Sequence, residues 1–100
     1  MLLAPAWCTP PFEHDHTGDM TQRVVMVNGE PRNHLELSLW LMLVNLVNLP
    51  ATMTPIGRTA AGLPVGMQVV APYLHDRRAI RVAGLVSEVV GGYDVPPGFE

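Results

Sequence analysis

A glycine and an amide sit inside an otherwise apolar strand in the run Gly62-Leu63-Pro64-Val65-Gly66-Met67-Gln68-Val69-Val70. In a strand, Val65, Met67 and Val69 point to one face and Gly66, Gln68 and Val70 to the other. One face is apolar and bulky. The other has an open slot at Gly66 beside the Gln68 amide, the pattern of a strand that another backbone or a ligand approaches closely. Read as packing alone, the same residues describe a close sheet crossing with Gln68 bonded to a neighbouring loop. Both readings require that something covers this strand.

Composition sets how much can cover it. One hundred residues fit one small domain, which buries roughly two-thirds of its unfolded surface. Hydrophobic residues make up 48% and charged residues 15%, and the mean hydropathy is +0.21, an apolar balance rich for so small a body. The excess points to a membrane, a partner or a missing part of the same fold. Leu37 to Leu49, the longest apolar stretch, is interrupted by Ser38, Asn45 and Asn48 and is too short to span a bilayer, so no membrane span is expected. A partner or a missing part remains.

A net charge of −3 with scattered signs offers no basic patch for a phosphate backbone, so nucleic acid is not expected as a partner. The amino terminus Met1-Leu2-Leu3-Ala4-Pro5 has no positive region and is broken at once by proline, unlike a secretory signal. Cys8 is the sole cysteine, which leaves no internal disulfide and makes a cytoplasmic setting the expectation.

The order of elements is α/β, with short strands and two helices. Leu2 to Ala4 reads as a strand that enters a proline-rich loop carrying Glu13-His14-Asp15-His16. Arg23 to Val27 is a β-branched strand closed by the turn dipeptide Asn28-Gly29. From about Asn33 to Asn48 the chain is helical in character and apolar on nearly every side, the pattern of a helix buried all round, and Pro50 ends it. If one face stayed open, ~300 Å² of exposed apolar surface would supply about 7 kcal/mol toward self-association. Ala51 to Thr54 is a short strand, Ile56 to Gly62 its turn, and Leu63 to Val70 the next strand. Asp76 is placed to cap a second helix whose stripe runs Ala79, Ile80, Val82, Ala83, Val86, Val89, Val90 and stops at Gly91-Gly92. The tail from Tyr93 is extended or frayed, and residues 1–100 form one unit with no linker.

Candidate chemistry is sparse. His14, Asp15 and His16, with Cys8 and His34, contain metal-ligand types, but alternating ligands on an irregular loop do not fix a tetrahedron, and a solvated loop is the simpler account. No metal or cofactor is assigned. Cys8 with a histidine would need a helix start or oxyanion donors that the sequence does not place beside it. There is no phosphate loop, no dinucleotide fingerprint and no nucleophile elbow, and there is no lysine at any position.

An ordered series of residues runs along the chain: Leu3 and Pro5; Phe12, His14 and Asp15; Val27-Asn28-Gly29; Asn45 with Leu49-Pro50-Ala51; Pro55 and Gly57; Gly62 to Gln68; and Asp76. In this order the series resembles the carboxy-terminal part of the amidase signature family. Leu49 to Gln68 is its most specific stretch. What the resemblance implies is a piece of a mixed-sheet α/β fold whose members hydrolyse carbon–nitrogen bonds of amides with a Ser, cis-Ser, Lys triad. The family's lysine and its glycine- and serine-rich signature lie upstream of the matched region, so no catalytic residue is assigned to this chain. The resemblance further implies that Trp40, Asn45, Met53 and Gln68 lie nearest the substrate pocket or the catalytic half. The expected partner is that missing amino-terminal half, or another copy of the chain. Two functions follow: a truncated portion of an amidohydrolase, inactive alone, with Met1 falling in what should be mid-sheet, or a non-catalytic interaction and self-association module derived from one.

Overall fold

The computed structural model describes residues 1–100. Its centre is the hairpin formed by β4 (Ala51–Arg58) and β5 (Pro64–Val70), with β1 (Leu2–Pro5) on the other side of β5, giving the order β1-β5-β4. All pairings in this α/β chain are antiparallel, including a separate two-stranded ribbon of β2 (Val24–Val27) and β3 (Glu30–Asn33). The Asn28-Gly29 turn, with φ of 53° and 83°, joins β2 to β3 in the manner its residues predict. The return strand β3 carries Pro31 and charged residues, which hide it from a search for β-branched runs.

β4 runs four residues beyond the expected strand. Pro55 is tolerated because β4 is an edge, where a missing N–H costs no ladder bond, and the register slips between Pro55 and Gly57 in a bulge. The turn is correspondingly tighter than expected: Gly62 N–H donates to the Thr59 carbonyl, and the Thr59 hydroxyl accepts from Leu63 N–H.

The apolar segment from Asn33 divides. A 3-10 helix spans His34–Ser38, started by the Asn33 side chain accepting from Leu35 N–H, and α1 follows over Leu39–Leu46. Asn48 adopts φ +51° and Pro50 follows, so the helix stops short of Asn48. The expectation of all-round burial is corrected: Leu37 and Val44 are buried, while Leu39, Met42, Leu43, Leu46 and Val47 stand exposed. Within these 100 residues one side of α1 meets the sheet and nothing covers the other.

α2 spans Asp76–Val90, as its stripe predicts, and ends at Gly91, whose N–H still donates to the Ser87 carbonyl while its φ of +103° turns the chain out of the helix. Asp76 is the first helical residue rather than the cap, a place held by His75; its carboxylate acts on the positive end of the helix dipole instead. Only Ala79 and Ala83 of the stripe are fully buried, and Val89 is among the most exposed residues.

The core is small: 10 of 100 residues are buried, centred on Gln68, Val69, Val70 and Ala71. Register alternation places Thr54 and Met67 on the face that α2 covers and Met53 and Gln68 on the opposite face, against α1. The end of β5 is thus sandwiched between the two helices.

Candidate functional site

Gln68 is the node of the structure. It is fully buried, and its amide Nε2 donates to the Pro5 carbonyl at 3.0 Å and to the Trp40 carbonyl at 3.1 Å, tying β1 and α1 to β5. Two carbonyl partners fix the amide orientation, because only an NH2 group can serve both. Oε1 is then buried without a partner. The slot beside it is less demanding than the sequence suggests. A Cβ on Gly66 would meet the Thr54 carbonyl at 3.6 Å, an ordinary contact, so no close approach forces glycine there.

Of the residues expected near a site, Trp40, Met53 and Gln68 gather on one face: Met53 is the direct cross-strand partner of Gln68, and Trp40 supplies the carbonyl it bonds. Asn45 lies apart, at the far end of α1, lining a shallow depression of about 300 Å³ with Asn48, Pro50, Tyr73 and Asp76. The largest concavity, about 660 Å³, contains none of the four. It is an apolar groove between the loop after β1 and the start of β5, lined by Leu3, Trp7, Phe12, Ile56, Val65 and Met67 among others. Its apolar walls suit hydrophobic contact rather than proton transfer.

The loop residues weighed as ligands spread into separate contacts. His34 stands edge-on to Trp7 and Phe12, with ring centroids 6.3 and 5.9 Å away, and His14 and His16 are 5.8 Å apart. The Cys8 thiol faces the Glu36 carbonyl at 3.8 Å. No three His, Cys, Asp or Glu side chains converge. Asp15 accepts from the hydroxyl and N–H of Thr17, and Asp19 from the N–H and hydroxyl of Thr21; these bonds hold both carboxyls below the ordinary 3.8.

One polar pair escapes a reading of the sequence. Thr54 is buried and its hydroxyl lies 2.9 Å from that of Ser87, which also donates to the Ala83 carbonyl. A signal for it exists: Ala79, Ala83 and Ser87 recur every four residues, a small-residue line that lets α2 approach β4. Neither hydroxyl bonds an ionisable side chain. The pair joins helix to sheet and has no base to activate it.

The Amidase family model matches residues 1–80. The chain is 33% identical over 89 residues to a glutamyl-tRNA(Gln) amidotransferase subunit of Haloarcula marismortui, an alignment covering 87% of this chain and 18% of that protein. It is 32% identical over 74 residues to human fatty-acid amide hydrolase 2, covering 69% of this chain and 14% of that one. A fatty-acid amide hydrolase of Danio rerio is 40% identical over 52 residues, with 52% of this chain and 10% of the relative covered. The chain spans less than a fifth of the length of these relatives.

Proposed function

The chain belongs to the amidase signature family, and we propose that it is the carboxy-terminal segment of a hydrolase that cleaves carbon–nitrogen bonds of amides. The observation carrying this reading is the lopsided coverage, 87% of this chain against 18% of the haloarchaeal relative. In the intact family a Ser, cis-Ser, Lys triad performs the chemistry, and this chain has no lysine to complete it. Its own contribution is structural. Residues 1–100 are a single partial domain in which Gln68 pins β1, β5 and α1 together and holds Trp40 and Met53 on one face. On this reading Trp40, Asn45, Met53 and Gln68 lie nearest the substrate pocket, and the amino-terminal catalytic half covers the apolar groove beside β1. A cytoplasmic setting belongs to the same proposal and rests on the single cysteine. No helix is long and apolar enough to cross a membrane.

The test is amide turnover by the purified chain on simple aryl and aliphatic amides. Release of ammonia or amine no faster than the buffer blank is expected, and enzyme-dependent turnover would overturn the assignment of catalysis to a missing half. The second reading, a free-standing interaction module, is favoured by the open side of α1. The DNA upstream of Met1 separates them: an open frame encoding a glycine- and serine-rich signature and a lysine supports the segment, whereas a promoter and ribosome site supports the module.

A further inference from the structure

We propose that Asn28 is a site of spontaneous deamidation, and that its conversion to isoaspartate unlocks the β2–β3 ribbon. The reaction needs a side-chain amide, a following backbone nitrogen free to attack it, and no bulk beside that nitrogen. Asn28-Gly29 is the sole Asn-Gly pair in the chain. Both residues are exposed, with φ of 53° and 83°. The Gly29 N–H makes no hydrogen bond, and a Cβ built on Gly29 would meet nothing within 4 Å, so the turn has room to bring nitrogen and amide together.

The other asparagines, Asn33, Asn45 and Asn48, lack this combination. Asn33 is tied at both amide atoms, accepting from Leu35 N–H and donating to the Thr21 carbonyl, and the following N–H, that of His34, bonds the Arg23 carbonyl. Asn45 precedes Leu46 inside α1, where the helix ladder takes the N–H. Asn48 shares the exposure and the left-handed φ, at 51°, yet the N–H of Leu49 donates to the Val44 carbonyl at 3.2 Å. Asn28 alone is followed by an unengaged nucleophile.

In the first step the Gly29 nitrogen gives its proton to water and bonds Asn28 Cγ; the Cγ–Nδ2 bond breaks, ammonia leaves, and a cyclic imide closes. Water then adds to one imide carbonyl. Cleavage at Cγ gives aspartate, and cleavage at the backbone carbonyl gives isoaspartate, whose main chain runs through Cγ and is longer by a methylene. The sum is amide plus water to carboxylate plus ammonium. A hairpin's register is set by its turn, and a lengthened turn no longer matches Val27 to Glu30. The ribbon has no third strand to hold it, and a two-stranded ribbon is marginal by itself. The inference goes beyond the amidase reading and does not rest on it, since every reacting atom belongs to the turn or to water.

The experiment incubates the purified 100-residue chain at physiological temperature over a range of pH, beside a sample unfolded in urea, and locates new acids by peptide mass spectrometry. Isoaspartate is counted by enzymatic methyl transfer to its free α-carboxylate, and amide hydrogen exchange reports on the ribbon. In the folded chain Asn28 is expected to convert roughly tenfold faster than any other asparagine, and faster as pH rises, because the attacking nitrogen must lose its proton. The isoaspartate fraction is expected to lose exchange protection across β2 and β3. Freshly prepared Asn28→Asp carries the new charge without the extra methylene and is expected to keep that protection. Asn28→Gly, which allows the same turn without the reacting amide, is expected to yield no isoaspartate there. An intact Asn28 in the folded chain, whether or not the unfolded sample converts, would overturn the proposal. So would faster conversion at Asn33, Asn45 or Asn48, or an isoaspartate fraction whose ribbon stays protected. Amide turnover enters none of these readouts, so either reading can fail alone.

Discussion

Gln68 shows how one side chain in a small core links local pattern to tertiary structure. The period-2 pattern of β5 puts it opposite Val69 and leaves its partner open, a loop or a ligand. Its donors go to Pro5 and to Trp40, partners 63 and 28 residues away, distances that a strand pattern carries no information about. Gln68→Leu removes both bonds from a fully buried site, and the expected loss is about 2 kcal/mol of unfolding free energy, read by urea denaturation. An unchanged midpoint would mean that the amide does not join β1 to α1. A second residue-scale outcome concerns the loop carboxyls. For Asp15 the Thr17 hydroxyl is the largest cause of the lowered value, whereas for Asp19 the Thr21 N–H is. Carboxyl NMR titration should therefore find Thr17→Val raising Asp15 toward its ordinary value, and Asp19 in Thr21→Val still held below it by the N–H of residue 21. Because both folded values lie below 3.8, the order these bonds give the loop is complete above that pH and lost as pH falls through the folded values.

At the scale of elements, legibility follows local stop signals. α2 is read almost to the residue because its stripe is bounded by Asp76 and by Gly91-Gly92, both of which act through backbone and dipole effects within one turn. The sequence overstates the extent of α1 because it is apolar throughout: periodicity cannot separate a 3-10 turn from an α-helix, nor tell which side meets the core. The ribbon strand β3 escapes notice for the converse reason, since Pro31, Arg32 and Asn33 pair through backbone alone. The two α2 glycines give opposed predictions. Gly84 lies in the helix interior with open space where a Cβ would go, so Gly84→Ala should stabilise by about 0.5–1 kcal/mol. Gly91 has equal space but a φ of +103°, so Gly91→Ala should destabilise by about 1–2 kcal/mol. Thermal melts of the two variants shifting in the same direction would contradict the roles assigned to the helix interior and its end.

The whole molecule is where composition speaks most clearly and pattern least. An apolar balance rich for 100 residues calls for a partner or a missing part, and the fold leaves only 10 residues buried while Leu39, Leu46 and Val89 face outward. The four expected site residues illustrate the limit: Trp40, Met53 and Gln68 share a face, but Asn45 sits at the other end of α1, because a family motif preserves order along the chain and not proximity. The absent lysine is the firmest whole-chain statement, since no arrangement of these 100 residues can supply it. The measurement that tests the central claim most directly is amide hydrolysis by two proteins side by side: this chain alone, and the chain extended by its upstream reading frame. The account predicts turnover only in the extended protein, lost when the upstream lysine is replaced by alanine; turnover by the 100 residues alone, or none in a folded extended protein, would contradict it.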